Sequence, residues 1–275
     1  MRVAVIGLGL IGASLARALA GKAEVLGMDA NPSVVRRAEE EGVVLRGCAD
    51  LRDLAGCDMV VLALPVGSIV DAARKVLPFV GERTTITDTG STKARIVGEM
   101  DKITGSFVGS HPIAGKERPG YDASDRDLFV GAAAIITPSE TTSPDRIAEV
   151  KRLWEACGST THIMDPASHD RLMAKISHLP HLLSYASMGL AEDVHIHRQL
   201  LGAGFRDFTR IAASDPLMWK DILMDNRDNV LPLVEAYIEE LHRLKTLVEE
   251  DRATELETEL SRFAQIRRAL YESPR

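Results

Sequence analysis

The sequence predicts an α/β fold for its first half, a doubly wound and mostly parallel sheet, followed by an all-helical second half. Three observations carry this. From residue 1 to about residue 164, short apolar runs alternate with stretches of helical periodicity, the pattern of parallel strands joined by crossover helices. The first run passes straight into the glycine-rich turn Gly7-Leu8-Gly9-Leu10-Ile11-Gly12 and then into a helical stretch. Beyond Asp165-Pro166 the strand signals stop, and apolar residues recur only at helical spacing. A chain of 275 residues fits two domains at roughly 100–200 residues each, and we place the division at 1–164 and 165–275.

Taken in order, the strand-like runs are 3–6, 25–28, 59–64, 84–87, 107–109 and 132–136, with 160–164 as a last strand. A helix over 13–20 follows the glycine turn, and another over 68–77 follows Leu64-Pro65. Ser143-Pro144-Asp145 sets a cap residue, a proline at the first helical position and then an acid, which starts a helix ending near Gly158. In the second half, Leu231, Val234, Ile238 and Leu241 form one apolar stripe, and Leu256, Leu260, Phe263, Ile266 and Leu270 form another. Periodicity does not separate an intrachain core from a subunit interface, so both readings stand at this point.

Composition excludes several classes of function. A hydrophobic share of 45% beside 27% charged residues is that of a globular chain with a sizeable core. The formal net charge of -7 repels a phosphate backbone, and no basic stripe offsets it, so no nucleic-acid partner is expected. Cys48, Cys57 and Cys157 are odd in number and lack C-x-x-C spacing, which indicates neither a disulfide framework nor a zinc knuckle and fits a reducing cytoplasm. The opening apolar run is broken by Gly7, Gly9 and Gly12, unlike a signal peptide, and no run of about 18 apolar residues offers a membrane span.

The glycine turn lies between a strand and a helix, which is the context that gives a G-x-G-x-x-G motif its meaning as a Rossmann-type dinucleotide site. Gly7 permits the tight turn, Gly9 lets backbone approach a pyrophosphate, and Gly12 allows close helix–strand packing. Amides at the helix start, Leu10 and Ile11 among them, face the phosphates. Asp29 ends the second strand and lies where an acid hydrogen-bonds the adenosine ribose and repels a 2′-phosphate, so NAD is expected over NADP. Two competing features are Asn31-Pro32, which makes Asp29 a candidate helix cap, and the nearby Arg36 and Arg37, which are able to accept a 2′-phosphate. Leu64-Pro65 follows a buried-looking strand where a loop meets a bound cofactor, although the same proline also suits a helix start.

Four further clusters fall in order along the chain: 88–93 (Asp-Thr-Gly-Ser-Thr-Lys), 109–117 (Gly-Ser-His-Pro-Ile-Ala-Gly-Lys-Glu), 174–181 (Ala-Lys-Ile-Ser-His-Leu-Pro-His) and 204–212 (Gly-Phe-Arg-Asp-Phe-Thr-Arg-Ile-Ala). With Trp219 in 214–219, their order and wording resemble the prephenate/arogenate (cyclohexadienyl) dehydrogenase family over nearly the whole chain. The resemblance implies a Rossmann domain and a helical dimerisation domain in a homodimer. It also implies NAD-dependent oxidative decarboxylation of prephenate or arogenate in tyrosine biosynthesis.

What the resemblance implies for individual residues is specific. His111, in the S-H-P-x-x-G motif, is the expected base for the substrate hydroxyl, a task that suits a neutral imidazole near pH 7. Ser91 matches the residue that hydrogen-bonds the same hydroxyl or the histidine. Arg210 matches the substrate-binding arginine, whose planar guanidinium holds a carboxylate through two parallel bonds, in preference to Arg206. Glu117 and Asp207 match acidic positions that orient that arginine. His178 and His181 sit at i and i+3, on one face of an ideal helix, with Pro180 expected to kink or interrupt it. His178 is the candidate for substrate contact and His181 for packing, and no accompanying ligand set argues for a metal. Trp219 either reaches toward a neighbouring subunit's site or is a core tryptophan.

Two other readings deserve weight. A β-hydroxyacid or imine reductase shares the domain plan and would use a lysine such as Lys175, but it leaves the S-H-P and F-T-R-I-A motifs unexplained. A nucleotide-sensing regulator would keep the glycine turn without chemistry, against which Ser91, His111 and Arg210 argue. From the placement of the glycine turn and the last helix, no additional regulatory or chorismate mutase-like module is expected in this chain.

Overall fold

The structure is a computed structural model that describes residues 1–191 and 199–272. Packing divides the chain into two compact units, Met1–Arg227 and Asp228–Arg275.

The first unit is built on an eight-stranded sheet in the order β3-β2-β1-β4-β5-β6-β7-β8. The central strands β1 (Arg2–Ile6) and β4 (Met59–Leu62) are almost wholly buried, as continuous apolar strands covered on both faces must be. Alternate residues of β1 enter separate cores, Val3 and Val5 on one face of the sheet and Ala4 and Ile6 on the other. β1 pairs in parallel with β2 (Glu24–Met28) on one side and β4 on the other, with Ile6 level with both Met28 and Leu62. The strand order reverses there, and ligands of such sheets bind beyond the strand ends at that switch point.

β3 (Arg46–Gly47) is an edge strand of two residues, too short to leave a periodic signal. β5 (Thr85–Asp88) and β6 (Phe107–Pro112) extend the parallel ladder. β7 (Ala133–Thr137) then runs antiparallel to β6, with His111 opposite Ile135, and β8 (Thr160–Ile163) is parallel to β7. The alternation of strands and helices predicts mostly parallel pairing and does not say which strand departs from it. The reversal follows from the connection 113–132, which contains one short 3₁₀ turn, Tyr121–Ala123, in place of a crossover helix.

Helices cover both faces. α1 (Leu10–Leu19) and α2 (Pro32–Glu40) follow β1 and β2, and α3 (Ile69–Val76) and α4 (Ala94–Asp101) follow β4 and β5. α5 (Pro144–Ala156) starts at the Ser143-Pro144 signal and buries Trp154 against Phe129. α6 (Pro166–Met173) continues through a π-helical stretch, Ala174–His178, into α7 (Leu179–Gly189), whose second residue is Pro180. The expected break at Pro180 is thus a local widening of the helix, which relieves the ring's clash with the preceding turn. α8 (Ala203–Thr209) and α9 (Pro216–Asp225) complete the unit, and Trp219 and Ile222 of α9 join the core beside Val66 and Ile69.

The second unit consists of α10 (Arg227–Glu249) and α11 (Ala253–Glu272), joined by a turn in which Asp251 has a φ of 53°. Arg243 ties the pair together by bridging Glu240 and Glu259. Much of the apolar stripes stays open to solvent: Leu231, Ile238, Leu241, Leu260, Ile266 and Leu270 are 40–74% exposed in the single chain, while Val234, Leu256 and Phe263 are half-buried. Among the described residues, no helix is long and apolar enough to cross a membrane.

Candidate active site

The glycine turn has the shape its sequence requires. Gly7 adopts a φ of 92°, and a Cβ there would overlap the Ala63 carbonyl, while one on Gly12 would overlap the Gly7 carbonyl. Gly9 is the N-cap of α1, has open space where a Cβ would sit, and leaves the helix start without a side-chain cap. Bare amides and room for backbone approach fit the pyrophosphate of a dinucleotide. Leu64 lies against this turn, its Cδ2 3.0 Å from the position a Gly7 Cβ would take, and Pro65 leads into a short 3₁₀ turn ahead of α3.

Asp29 follows directly on the end of β2. Its Oδ2 accepts from the Leu8 amide at 2.7 Å and its Oδ1 from the Asn31 amide at 2.8 Å. The cap of α2 is Asn31, which accepts from the Ser33 amide at 3.0 Å. Asp29 is therefore tied to the glycine turn, and its carboxylate retains lone pairs for ribose hydroxyls. Arg37 is engaged by Glu41 and Asp122, and Arg36 is exposed. Hydrogen bonds from Arg37, Arg17 and Tyr121 hold the Glu41 carboxyl down at about 2.

A cavity of about 440 Å³ opens beyond the strand ends. Leu10 and Ile11 of α1 line it beside Thr89 and Ser91 from the loop after β5, and His111 enters from the end of β6. His181, Arg210 and Trp219 complete it from the helical segments. The start of the glycine-turn helix and these side chains thus share one space.

His111 is held from behind. Its Nδ1 lies 2.9 Å from His169 Nε2, and His169 Nδ1 lies 2.8 Å from Asp170 Oδ1, both residues belonging to α6. Burial pushes the His111 imidazole well below its usual range, helped by nearby His169, Lys93 and His178. An imidazole so placed is neutral at pH 7. The loop carrying Thr89 and Ser91 is fixed by Asp88, which accepts from the Gly90 amide at 2.9 Å and the Ser110 amide at 3.0 Å. Asp88 also pairs with Lys93, a fully buried lysine that donates to the Ser110 carbonyl at 3.1 Å.

Arg210 opens a 3₁₀ turn, Arg210–Ala213, and ion-pairs with Glu117 at the rim of the cavity. The Glu117 carboxyl is lowered by its backbone hydrogen bond and by Arg210. Asp207 and Arg206 lie exposed on α8, outside the cavity lining, and the ion pair found at Arg210 is the one with Glu117.

The two histidines after α6 exchange their expected places. His178 is 1% exposed, is not among the residues that line the cavity, and accepts from Asn226 Nδ2 at 3.0 Å. Burial pushes its imidazole down to about 4. His181 lines the cavity, with Nδ1 at 2.8 Å from the Ser177 carbonyl and its ring stacked on Trp219 at 3.5 Å between centroids. Both rings lie against Trp219, His178 edge-on at 6.0 Å between centroids, so which of the two lines the cavity is set by packing around Trp219 and Asn226. Trp219 is 6% exposed, and its indole N–H is buried without a partner among the described residues.

Sequence reasoning passed over His169 and Asp170 and gave Lys93 no task. A single His-Asp dipeptide four residues into a helix carries no periodic signal, and only the fold shows it behind His111. Lys175, the residue a hydroxyacid reductase would use, is exposed and outside the lining.

The prephenate dehydrogenase nucleotide-binding domain model matches residues 13–163, and the prephenate dehydrogenase dimerization domain model matches residues 165–262. The cyclohexadienyl dehydrogenase of Zymomonas mobilis is 34% identical over 90% of this chain and 88% of its own length. The crystal structure of prephenate dehydrogenase from A. aeolicus, in complex with hydroxyphenyl propionate and NAD+, superposes with a TM-score of 0.89 at 34% identity, covering 98% of each chain. That of Synechocystis arogenate dehydrogenase superposes with a TM-score of 0.84 at 30% identity, covering 97% of this chain and 99% of that one. The chain belongs to the prephenate dehydrogenase family and is a dehydrogenase with that family's nucleotide-binding domain followed by its dimerization domain.

Proposed function

We propose that His111 is the base of an NAD-dependent oxidative decarboxylation of prephenate or arogenate, with Ser91 beside it and Arg210 as the anchor of the substrate carboxylate. The observation that carries this is the single cavity in which these three residues meet the start of the glycine-turn helix. NAD supplies the hydride acceptor. Gly7, Gly9, Gly12, Leu10 and Ile11 shape its pyrophosphate site, Asp29 receives the ribose, and Leu64 and Pro65 border the turn. Asp29 and the engagement of Arg37 by two carboxylates favour NAD over NADP.

The ring carbon that bears the hydroxyl gives up its hydride, and His111 takes the hydroxyl proton. The bond to the ring carboxylate then breaks to release carbon dioxide, its electron pair enters the ring, and the proton returns to the new phenolic oxygen. A neutral, buried imidazole serves both transfers. Arg210, steadied by Glu117, holds a carboxylate through paired hydrogen bonds. His181, which lines the cavity, takes the contact role expected of His178, with Trp219 stacked against its ring. Asp207 acts at most at the periphery.

The functional division follows 1–164 for nucleotide and 165–275 for substrate and pairing, in keeping with the ranges of the two family models. The enzyme is a homodimer in which the exposed stripes of α10 and α11 form an interface, since so much open apolar surface on two helices is what pairing removes. A cytoplasmic setting agrees with three buried free thiols, of which burial raises Cys57 to about 11 and Cys157 to about 12. The test is NADH formation with prephenate and with arogenate, each with NAD and with NADP. Turnover of either acid with NAD is the expected result, and none with either acid refutes the assignment.

A further inference from the structure

His169 and Asp170 lie outside the cavity lining, are 0% and 2% exposed, and form a hydrogen-bonded line that ends on His111. Asp170 is anchored firmly. Its Oδ1 accepts from the Lys93 amide at 2.8 Å and its Oδ2 from the Ala94 amide at 2.9 Å, both at the start of α4. Its own carbonyl accepts from Asn226 Nδ2 at 2.8 Å. The carboxylate therefore faces donors on both oxygens, and the His169 nitrogen 2.8 Å away must be a donor as well.

The order of protons along the line follows. With Nδ1 of His169 donating to Asp170, an imidazole that holds a single hydrogen has its lone pair on Nε2. That lone pair faces Nδ1 of His111 at 2.9 Å, so His111 Nδ1 carries the hydrogen and its Nε2 is left basic. We propose that His169 and Asp170 are positioning residues that fix His111 in the tautomer and orientation able to accept the substrate proton. When His111 becomes an imidazolium, His169 Nε2 accepts a charge-assisted hydrogen bond from it, with the Asp170 carboxylate one ring behind. Packing alone would be served by any apolar pair of similar volume, whereas this line joins two imidazole rings to a carboxylate fixed by two backbone amides.

The inference rests on His111 being the base, and the experiment separates the two claims. The full-length enzyme is assayed with prephenate and NAD across pH 4.5–8 as His169→Leu, His169→Gln and His111→Asn, with NAD affinity measured in parallel. The groups facing His111 are His169 from α6, Lys93 at the start of α4 and His178 from the π-helical stretch, and of these only His169 is changed. His169→Leu should lower kcat by roughly 10- to 100-fold, the worth of a hydrogen bond to a charged group, with KM and NAD affinity within about threefold. The acid limb of kcat should also move down by about one pH unit, because the imidazolium has lost its acceptor. Glutamine, whose carbonyl reaches the place of Nε2, should restore most of kcat and return the limb. Should the leucine variant not fold, His169→Asn, one methylene too short, should behave as described for leucine beside a working glutamine variant.

An unchanged kcat in His169→Leu, a loss with an unmoved limb, or equal kcat in the glutamine and asparagine variants overturns the positioning role. His111→Asn with full kcat overturns the base assignment itself. An inactive His111→Asn enzyme beside a fully active His169→Leu enzyme overturns the positioning role alone.

Discussion

Replacing Lys93 by methionine isolates the electrostatics that hold the loop after β5. The side chain is 0% exposed, its ammonium pairs with Asp88, and it also donates to the Ser110 carbonyl at 3.1 Å. Methionine keeps most of the stem, so little cavity forms. The Asp88 carboxylate, however, is left buried with only the Gly90 and Ser110 amides as donors. Removing one partner of such a pair costs about 3–5 kcal/mol, because the other charge stays behind uncompensated. At about 2–4 °C per kcal/mol for a unit of this size, Tm should fall by about 6–20 °C. Adding Asp88→Asn removes the orphaned charge and should recover a large part of that loss. Thermal and urea unfolding followed by circular dichroism, on the single and double variants, measures both. A Lys93→Met enzyme melting within about 2 °C of the unmodified protein, or a double variant no more stable than the single, would refute the reasoning.

Other outcomes follow from the same geometry. Arg210→Gln should raise KM for prephenate by roughly 10- to 100-fold with a smaller effect on kcat, since a charged hydrogen-bond donor at the cavity rim is lost; steady-state kinetics checks this. NAD should give a much larger kcat/KM than NADP, and Asp29→Ser should narrow the gap, as comparison of the two cofactors on both enzymes shows. His178, whose folded imidazole sits at about 4 against an ordinary value near 6.5, contributes stability that is present above pH 6.5 and lost as pH falls toward 4. The loss should reach roughly 3 kcal/mol, read as a lower urea midpoint at pH 4.5 than at pH 7, and His178→Asn should flatten that dependence.

The parts legible in the sequence are those written in local signals. The strand–glycine–helix junction at residues 3–20 announces itself because backbone approach excludes side chains at Gly7 and Gly12. The Ser143-Pro144 start of α5 is equally local. Features fixed by tertiary pairing left no such trace. β3 is two residues long, and the antiparallel entry of β7 depends on what the 113–132 connection lacks. His178 and His181 both lie against Trp219, and spacing alone does not show which of them reaches the cavity. His169 and Asp170 matter only because α6 packs beside the end of β6 and the start of α4, a juxtaposition across 58 residues of sequence for the two histidines.

The central claim is that the chemistry at this cavity runs through His111, and its most direct test is kcat for His111→Asn. The amide preserves size and polarity but cannot take the proton. With prephenate and NAD, kcat should fall by about 10²–10⁴-fold while NAD affinity, followed by tryptophan fluorescence, stays within about twofold. In the unmodified enzyme the acid limb of kcat should lie below pH 6.5, in line with the depressed imidazole, and it should vanish in the variant. A His111→Asn enzyme with near-normal kcat would contradict the account.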